Sequence, residues 1–155
     1  MLSSLENGGN DMLQKATVQQ AKDAAELALL LWPENELEMF IQEMTELISH
    51  PDAVVMLVYK NGEAIGFAQC QLRRDYVEGT STSPVGYLEG LYVKESFRKQ
   101  GIAKRIIRAC EEWAKTKGCR EFASDCELAN EDSLKMHMKL GFQEANRIIC
   151  FTKQL

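Results

Sequence analysis

Apolar residues recur with helical spacing in some stretches of this chain and as short unbroken runs in others, and the alternation predicts its elements. Leu13 to Ala16 reads as a short first strand. Thr17, with Gln20 three residues on, has the form of a capping box, and Val18, Ala21, Ala25, Ala28 and Leu29 carry a helix towards Trp32, where Pro33 stops it. Leu37, Phe40, Ile41, Met44, Leu47 and Ile48 lie on one apolar face of a second helix, which His50-Pro51-Asp52 ends. Ala53 to Tyr59 and Ala64 to Cys70 flank Asn61-Gly62, the strongest short-range signal for a hairpin. The polar stretch from Tyr76 to Pro84 is a loop, and Val85 to Val93 is a strand interrupted by Gly90, which predicts a bulge or a close backbone approach. A helix follows from about Ile102 to Lys115, stopped by Gly118. Then come a short strand from Glu121 to Asp125, a helix from Asn130 to Leu140 closed by Gly141, and a final strand from Arg147 to Thr152. Residues 1–12 read as a loose polar leader, without the charged and apolar regions of a signal peptide, before one mixed α/β domain over residues 13–155.

Composition narrows the class. With 155 residues, 45% apolar and 26% charged, the chain has the make-up of an ordinary soluble domain, which excludes a disordered chain or a disulfide-built miniprotein. No apolar run approaches the roughly 20 residues of a membrane span. Five cysteines (Cys70, Cys110, Cys119, Cys126, Cys150) form an odd set with no C-x-x-C pair and read as thiols in a reducing compartment, so the cytoplasm is the expected location. Two histidines, His50 and His137, leave no His-rich zinc site, and no metal is expected.

The net charge of −5 matters less than its distribution. Glu34 to Asp52 holds six acids and no Lys or Arg, whereas Lys94 to Arg120 holds nine of the 18 bases against three acids. Either these are solvated helix faces, or one region meets an anion and another a cation. Net acidity, and the absence of aromatics interleaved with the bases, disfavour nucleic acid.

Val93 to Ala103 carries the sharpest signal. A strand ends, a basic turn follows, and a helix starts at Gly101. The unpartnered first amides of a helix, with its dipole, bind phosphate. Gly101 and Ala103 are small enough to let a ligand reach the backbone, and Arg98, Lys99, Lys104 and Arg105 supply charge. Arg98-Lys99-Gln100-Gly101-Ile102-Ala103 resembles the acyl-CoA pyrophosphate loop of the GCN5-related N-acetyltransferases (GNAT). Asn130 to Phe142 resembles their second signature, with His137 where Tyr is usual. The resemblance implies the GNAT fold: one mixed, mostly antiparallel sheet of about six strands, flanked by about four helices and splayed between the fourth and fifth strands. It also implies acetyl-CoA as acyl donor, held by main-chain groups of Leu91, Tyr92 and Val93, by the Arg98, Lys99, Gln100, Gly101, Ile102, Ala103 and Lys104 loop, and by Asn130. For Asn130 a helix N-cap with no further role is an equal alternative.

Within the superfamily, Leu31-Trp32-Pro33, Asp75 to Thr80, Ser83-Pro84-Val85, Tyr87 to Val93 and Glu121 to Asp125 resemble the aminoglycoside 6′-N-acetyltransferases. That resemblance implies acetyl transfer to the 6′-amino group of a polycationic antibiotic, by direct attack in a ternary complex, in a homodimer that confers resistance. Trp32, Tyr76, Glu89, Asp125 and Asn146 would meet the substrate, although relatives tend to carry an acid at the position of Asn146. Glu89 or Asp125 would take the proton from the amine, and His137 would serve the departing thiolate. The alternative is a GNAT enzyme acting on a polyamine or a peptide amine, which an acidic cleft would also suit.

Overall fold

The computed structural model describes residues 11–155 and the backbone of Leu5 and Glu6. Six strands, β1 (Leu5–Glu6), β2 (Asp11–Lys15), β3 (Ala53–Lys60), β4 (Glu63–Arg73), β5 (Val85–Val93) and β6 (Phe122–Ser124), form one sheet in sequential order. Every neighbouring pair is antiparallel except β5 and β6. That parallel step requires a crossover, and helix α3 (Ile102–Thr116) supplies it.

The sheet has apolar residues on both faces because helices cover both. One face of β3 and β4 presents Val55, Leu57 and Phe67 to α1 (Ala21–Leu31) and α2 (Leu37–Ser49). The other presents Val54, Met56, Val58 and Ile65 to α3, with Met136 and Leu140 of α4 (Glu131–Lys139) packed at its margin. Phe67, Leu57 and Ile106 are fully buried, each worth roughly 1.5–3 kcal/mol of transfer free energy.

Most predicted elements are present. The Thr17 amide donates to Gln20 Oε1 at 2.9 Å, the reaching-back half of a capping box, and a single 3₁₀ turn over Val18–Gln20 precedes α1. Asn61 and Gly62 both take positive φ, 51° and 80°, as a tight hairpin between twisted strands demands. β2 begins at Asp11, before the expected Leu13, and β1 pairs with it through Leu5↔Leu13 and Glu6↔Met12. The remainder of the leader expected over residues 1–12 lies outside the described residues.

One predicted strand is corrected. Arg147 to Thr152 is not a strand: after α4 the chain runs to Leu155 without regular structure, and every residue from Gln143 onwards is exposed. The run has β-branched residues, but it finds no ladder partner among the described residues. The sheet reaches six strands through β1 instead. No helix among the described residues is long and apolar enough to cross a membrane.

Candidate active site

Two features of β5 create the site. Its ladder with β4 shifts register at Gln69/Cys70, so that Gln69 faces Gly90 while Cys70 faces Leu88. Glu89 is therefore the extra, bulged residue. On the other edge, β6 pairs only with Gly86, Tyr87 and Leu88, so the main chain from Glu89 to Val93 has no strand beside it there. This is the splay expected between the two strands, and the bulge opens it.

The junction expected to hold the acyl donor follows β5 directly. β5 ends at Val93, a 3₁₀ turn spans Glu95–Phe97, and α3 starts at Ile102 with no side chain capping it. Lys99 and Gly101 take left-handed φ of 63° and 77°, and a Cβ at Gly101 would meet nothing within 4 Å. The junction thus presents bare amides to open space, as a pyrophosphate requires. Arg98 Nε donates to the Val93 carbonyl at 2.8 Å, with the guanidinium 5.3 Å from the Tyr92 ring centroid, which fixes the turn against the strand. Lys99, Gln100 and Lys104 are exposed, Ala103 is half-buried, and Ile102 is buried in the core. Arg105 turns away to Asp11 of β2 at 3.3 Å.

On the α1/α2 side of the bulge, acidic and aromatic groups meet. The Glu89 carboxylate receives Arg73 at 2.9, 3.1 and 3.3 Å. The same guanidinium lies 3.4 Å from the Tyr87 ring centroid. The buried Tyr87 hydroxyl donates to Asp125, just beyond β6; burial first, and the carboxylate second, push that phenol well above its usual range. Trp32, at the end of α1, packs against Phe40 and Phe67 with centroids 6.0 and 6.5 Å apart. A Cβ on Gly90 would lie 2.5 Å from its ring. Trp32 is thus half-buried core and also the wall beside Glu89.

Tyr76 and Asn146 form a separate group. Tyr76 is 81% exposed and donates to Glu78, and Asn146 Nδ2 donates to the same carboxylate at 2.7 Å. The Asn146 amide first, and the Tyr76 hydroxyl second, hold Glu78 below the ordinary carboxylate range. No hydrogen bond joins this group to Glu89, although the neighbouring Val77 packs with Tyr87 in one apolar cluster. Glu43, Glu46 and Asp52 of the acidic stretch line a cavity of about 420 Å³ with Gln71, the ladder partner of Tyr87.

His137, on α4, faces β6. Its Nδ1 lies 2.7 Å from the Ser133 carbonyl, an obligate acceptor, so Nδ1 carries hydrogen and Nε2 meets Ser124 Oγ at 2.8 Å. Ser124 in turn reaches the Leu88 carbonyl at 3.3 Å, where the splay begins. Asn130 caps α4, its Oδ1 accepting the Ser133 amide at 3.0 Å. No group of three metal-ligating side chains occurs among the described residues.

Residues 19–142 match a family model described as the acetyltransferase (GNAT) family. The chain belongs to that family. As a GNAT domain it is similar to the aminoglycoside N(6′)-acetyltransferase type 1 of Acinetobacter haemolyticus, 41% identical over 143 residues covering 92% of this chain and 98% of that one. Among solved structures, AAC(6′)-Iy in complex with the bisubstrate analog CoA-S-monomethyl-acetylneamine superposes with a TM-score of 0.89 at 35% identity, covering 94% of this chain and 99% of the other. The apo crystal structure of the aminoglycoside antibiotic 6′-N-acetyltransferase AAC(6′)-IG from A. haemolyticus gives 0.87 at 40% identity, covering 92% and 98%.

The GNAT site holds residues that sequence reasoning did not single out. Tyr87 lies two residues before Glu89 on one strand, and period-2 alternation points to it. Ser124 and Arg73 carried no such signal, because their roles arise from the pairing of β4, β5 and β6.

Proposed function

We propose that the protein transfers an acetyl group from acetyl-CoA to the 6′-amino group of aminoglycosides by direct attack in a ternary complex, and so confers resistance to them. The observation that carries this reading is the position of Glu89, bulged out of β5 where β6 departs, near the buried Tyr87 and the exposed Asp125 that accepts its hydroxyl. A carboxylate beside an aromatic face at such a place suits a cation, and in the free protein the Arg73 guanidinium occupies it. The named relatives act on aminoglycosides, and the AAC(6′)-Iy complex holds an analog that joins CoA to an aminoglycoside, which supports the same substrates here.

The acyl donor supplies the activated thioester. The amides from Gln100 to Lys104, with Arg98 and Lys99, hold its pyrophosphate, and main-chain groups of Leu91, Tyr92 and Val93 bond its pantetheine arm beside the open edge of β5. Asn130 closes that arm from the start of α4 while capping the helix. Trp32 and Tyr76 give sugar rings apolar walls, and Glu89 and Asp125 hold ammonium groups. Either carboxylate oxygen takes the proton that the attacking amine must lose. His137, its Nδ1–H fixed by the Ser133 carbonyl, delivers a proton from Nε2 through or beside Ser124 when the ring is an imidazolium with both nitrogens protonated, and is left as the neutral Nδ1–H imidazole. Asn146 binds substrate by its amide, as a neutral group.

Two further parts of the reading concern setting. The exposed thiols of Cys126 and Cys150 suit a reducing cytoplasm. The protein acts as a homodimer, a reading supported by the bare apolar segment after Asn146, where Ile148, Ile149 and Phe151 are 63%, 79% and 87% exposed.

The decisive experiment is a thiol-release assay with acetyl-CoA against kanamycin, spermidine and a lysine peptide. Turnover is expected with kanamycin at the highest kcat/KM. Turnover of spermidine or the peptide but not of kanamycin overturns the substrate, and no calorimetric heat with CoA or acetyl-CoA overturns the donor.

A further inference from the structure

A cation already stands in the acceptor site. Arg73 is the last residue of β4, and its guanidinium bonds the Glu89 carboxylate at 2.9 and 3.1 Å from Nη2 and 3.3 Å from Nε. It also stacks on the Tyr87 ring at 3.4 Å. A carboxylate beside an aromatic face is the general form of an ammonium site. We propose that Arg73 is a displaceable, autoinhibitory cation: it occupies the Glu89–Tyr87 site in the free enzyme, and the acceptor ammonium must expel it before Glu89 can take a proton. This rests on the acceptor site as read above.

Two observations favour displacement over a fixed strut. The bulge that presents Glu89 is set by backbone pairing on either side of it, Gln69 with Gly90 and Cys70 with Leu88, and by the seat of Trp32 on Gly90, so it does not need Arg73. The Arg73 side chain is 42% exposed while that of Glu89 is 22% exposed, so the guanidinium can swing into water at little desolvation cost and the carboxylate stays. The chain beyond Arg73 leaves the sheet for an exposed turn, and Arg74 is drawn the other way, to Asp52 at 2.6 Å. An incoming ammonium gains the carboxylate and ring that Arg73 gives up, so those two groups add little net affinity. Binding then depends on the substrate's other ammonium groups, which suits a polycation.

The test uses Arg73→Met, which keeps an apolar stem over Tyr87 without the charge, and Arg73→Lys, which keeps the charge. KM and kcat are measured with kanamycin, together with a calorimetric Kd that separates binding from turnover. Arg73→Met is expected to lower KM and Kd roughly three- to tenfold, as loss of one half-exposed ion pair and one stacked cation implies, with kcat within about twofold. Arg73→Lys should stay near wild type. Guanidinium chloride at tens of millimolar, against sodium chloride at equal ionic strength, should inhibit Arg73→Met competitively with the amine and leave the wild type unaffected. A KM unchanged or raised in Arg73→Met, a fall in kcat, an absence of guanidinium competition, or a clear drop in Tm each overturns the proposal, since each makes Arg73 a strut. A wild type that neither binds nor acetylates kanamycin is a different failure: it removes the substrate reading, and Arg73 is then judged by the same ratios on whichever amine is turned over.

Discussion

Gly90 and Trp32 show how a single residue ties the core to the site. Gly90 follows the bulged Glu89, and the absence of its side chain lets the Trp32 ring lie on the strand, where a Cβ would come within 2.5 Å of Cη2 and 3.1 Å of Cζ2. The ring has nowhere to retreat, because Phe40 and Phe67 hold it from behind. Gly90→Ala is therefore expected to destabilise the protein by about 1–3 kcal/mol, the ordinary cost of overpacking. Urea unfolding measures this, and an unchanged midpoint would mean that Trp32 is free to move. The same contact shows what the sequence reading of Trp32 as a substrate contact did not contain: the ring is packed into the core, with one edge against two phenylalanines and another on Gly90.

Among the elements, the loop between β4 and β5 depends on one carboxylate. Glu121, just before β6, accepts the Ser81 and Thr82 amides at 2.9 and 2.8 Å and the Thr82 hydroxyl as well. The Thr82 side chain first, and the Ser81 amide next, depress its pKa below 4.5. A depressed carboxylate contributes its stability in full above the unfolded value, and that contribution is lost as pH falls through the folded one. Glu121→Gln should thus lower Tm at pH 7, with the gap to wild type closing as pH falls below about 4.5; a gap that stays constant down to pH 3 would contradict the ion's role.

Elements with a strong local signal were legible: the Asn61-Gly62 hairpin, the apolar face of α2, and α3 with its glycine start. β4 runs on to Arg73 because its last residues pair with Val85 and Gly86, and polar Gln71 and Arg73 hid that extension. Glu89 and Asp125 were legible through the family resemblance, Glu89 within β5 and Asp125 one residue beyond β6. Arg73 was not, because a charge after an apolar run reads as a solvated end, and only the ladder register brings it over Tyr87.

At the scale of the whole molecule, the divided charge and the bare C-terminal segment point outward. Arg147 to Thr152 has the composition of a strand, yet Ile148, Ile149 and Phe151 are left largely in water, while β6 is the last strand of the sheet and only three residues long. The root of the segment is fixed: Asn146 bonds Glu78 at 2.7 Å, and Ala145 sits where a Cβ on Gly79 would be, so the segment leaves beside the loop between β4 and β5. A second copy, by offering its own β6 edge or apolar surface, would give these residues both ladder partners and cover, and the arrangement can be reciprocal in a twofold dimer. The homodimer proposed above is therefore expected to depend on this segment. Light scattering should give the wild type twice its chain mass of 17.5 kDa, and the double variant Ile149→Asp, Phe151→Asp the single-chain mass. Because those side chains touch little within their own chain, the variant should keep its folded circular-dichroism signal. A wild type that scatters as a monomer removes the dimer, and a double variant that remains dimeric moves its interface elsewhere on the molecule.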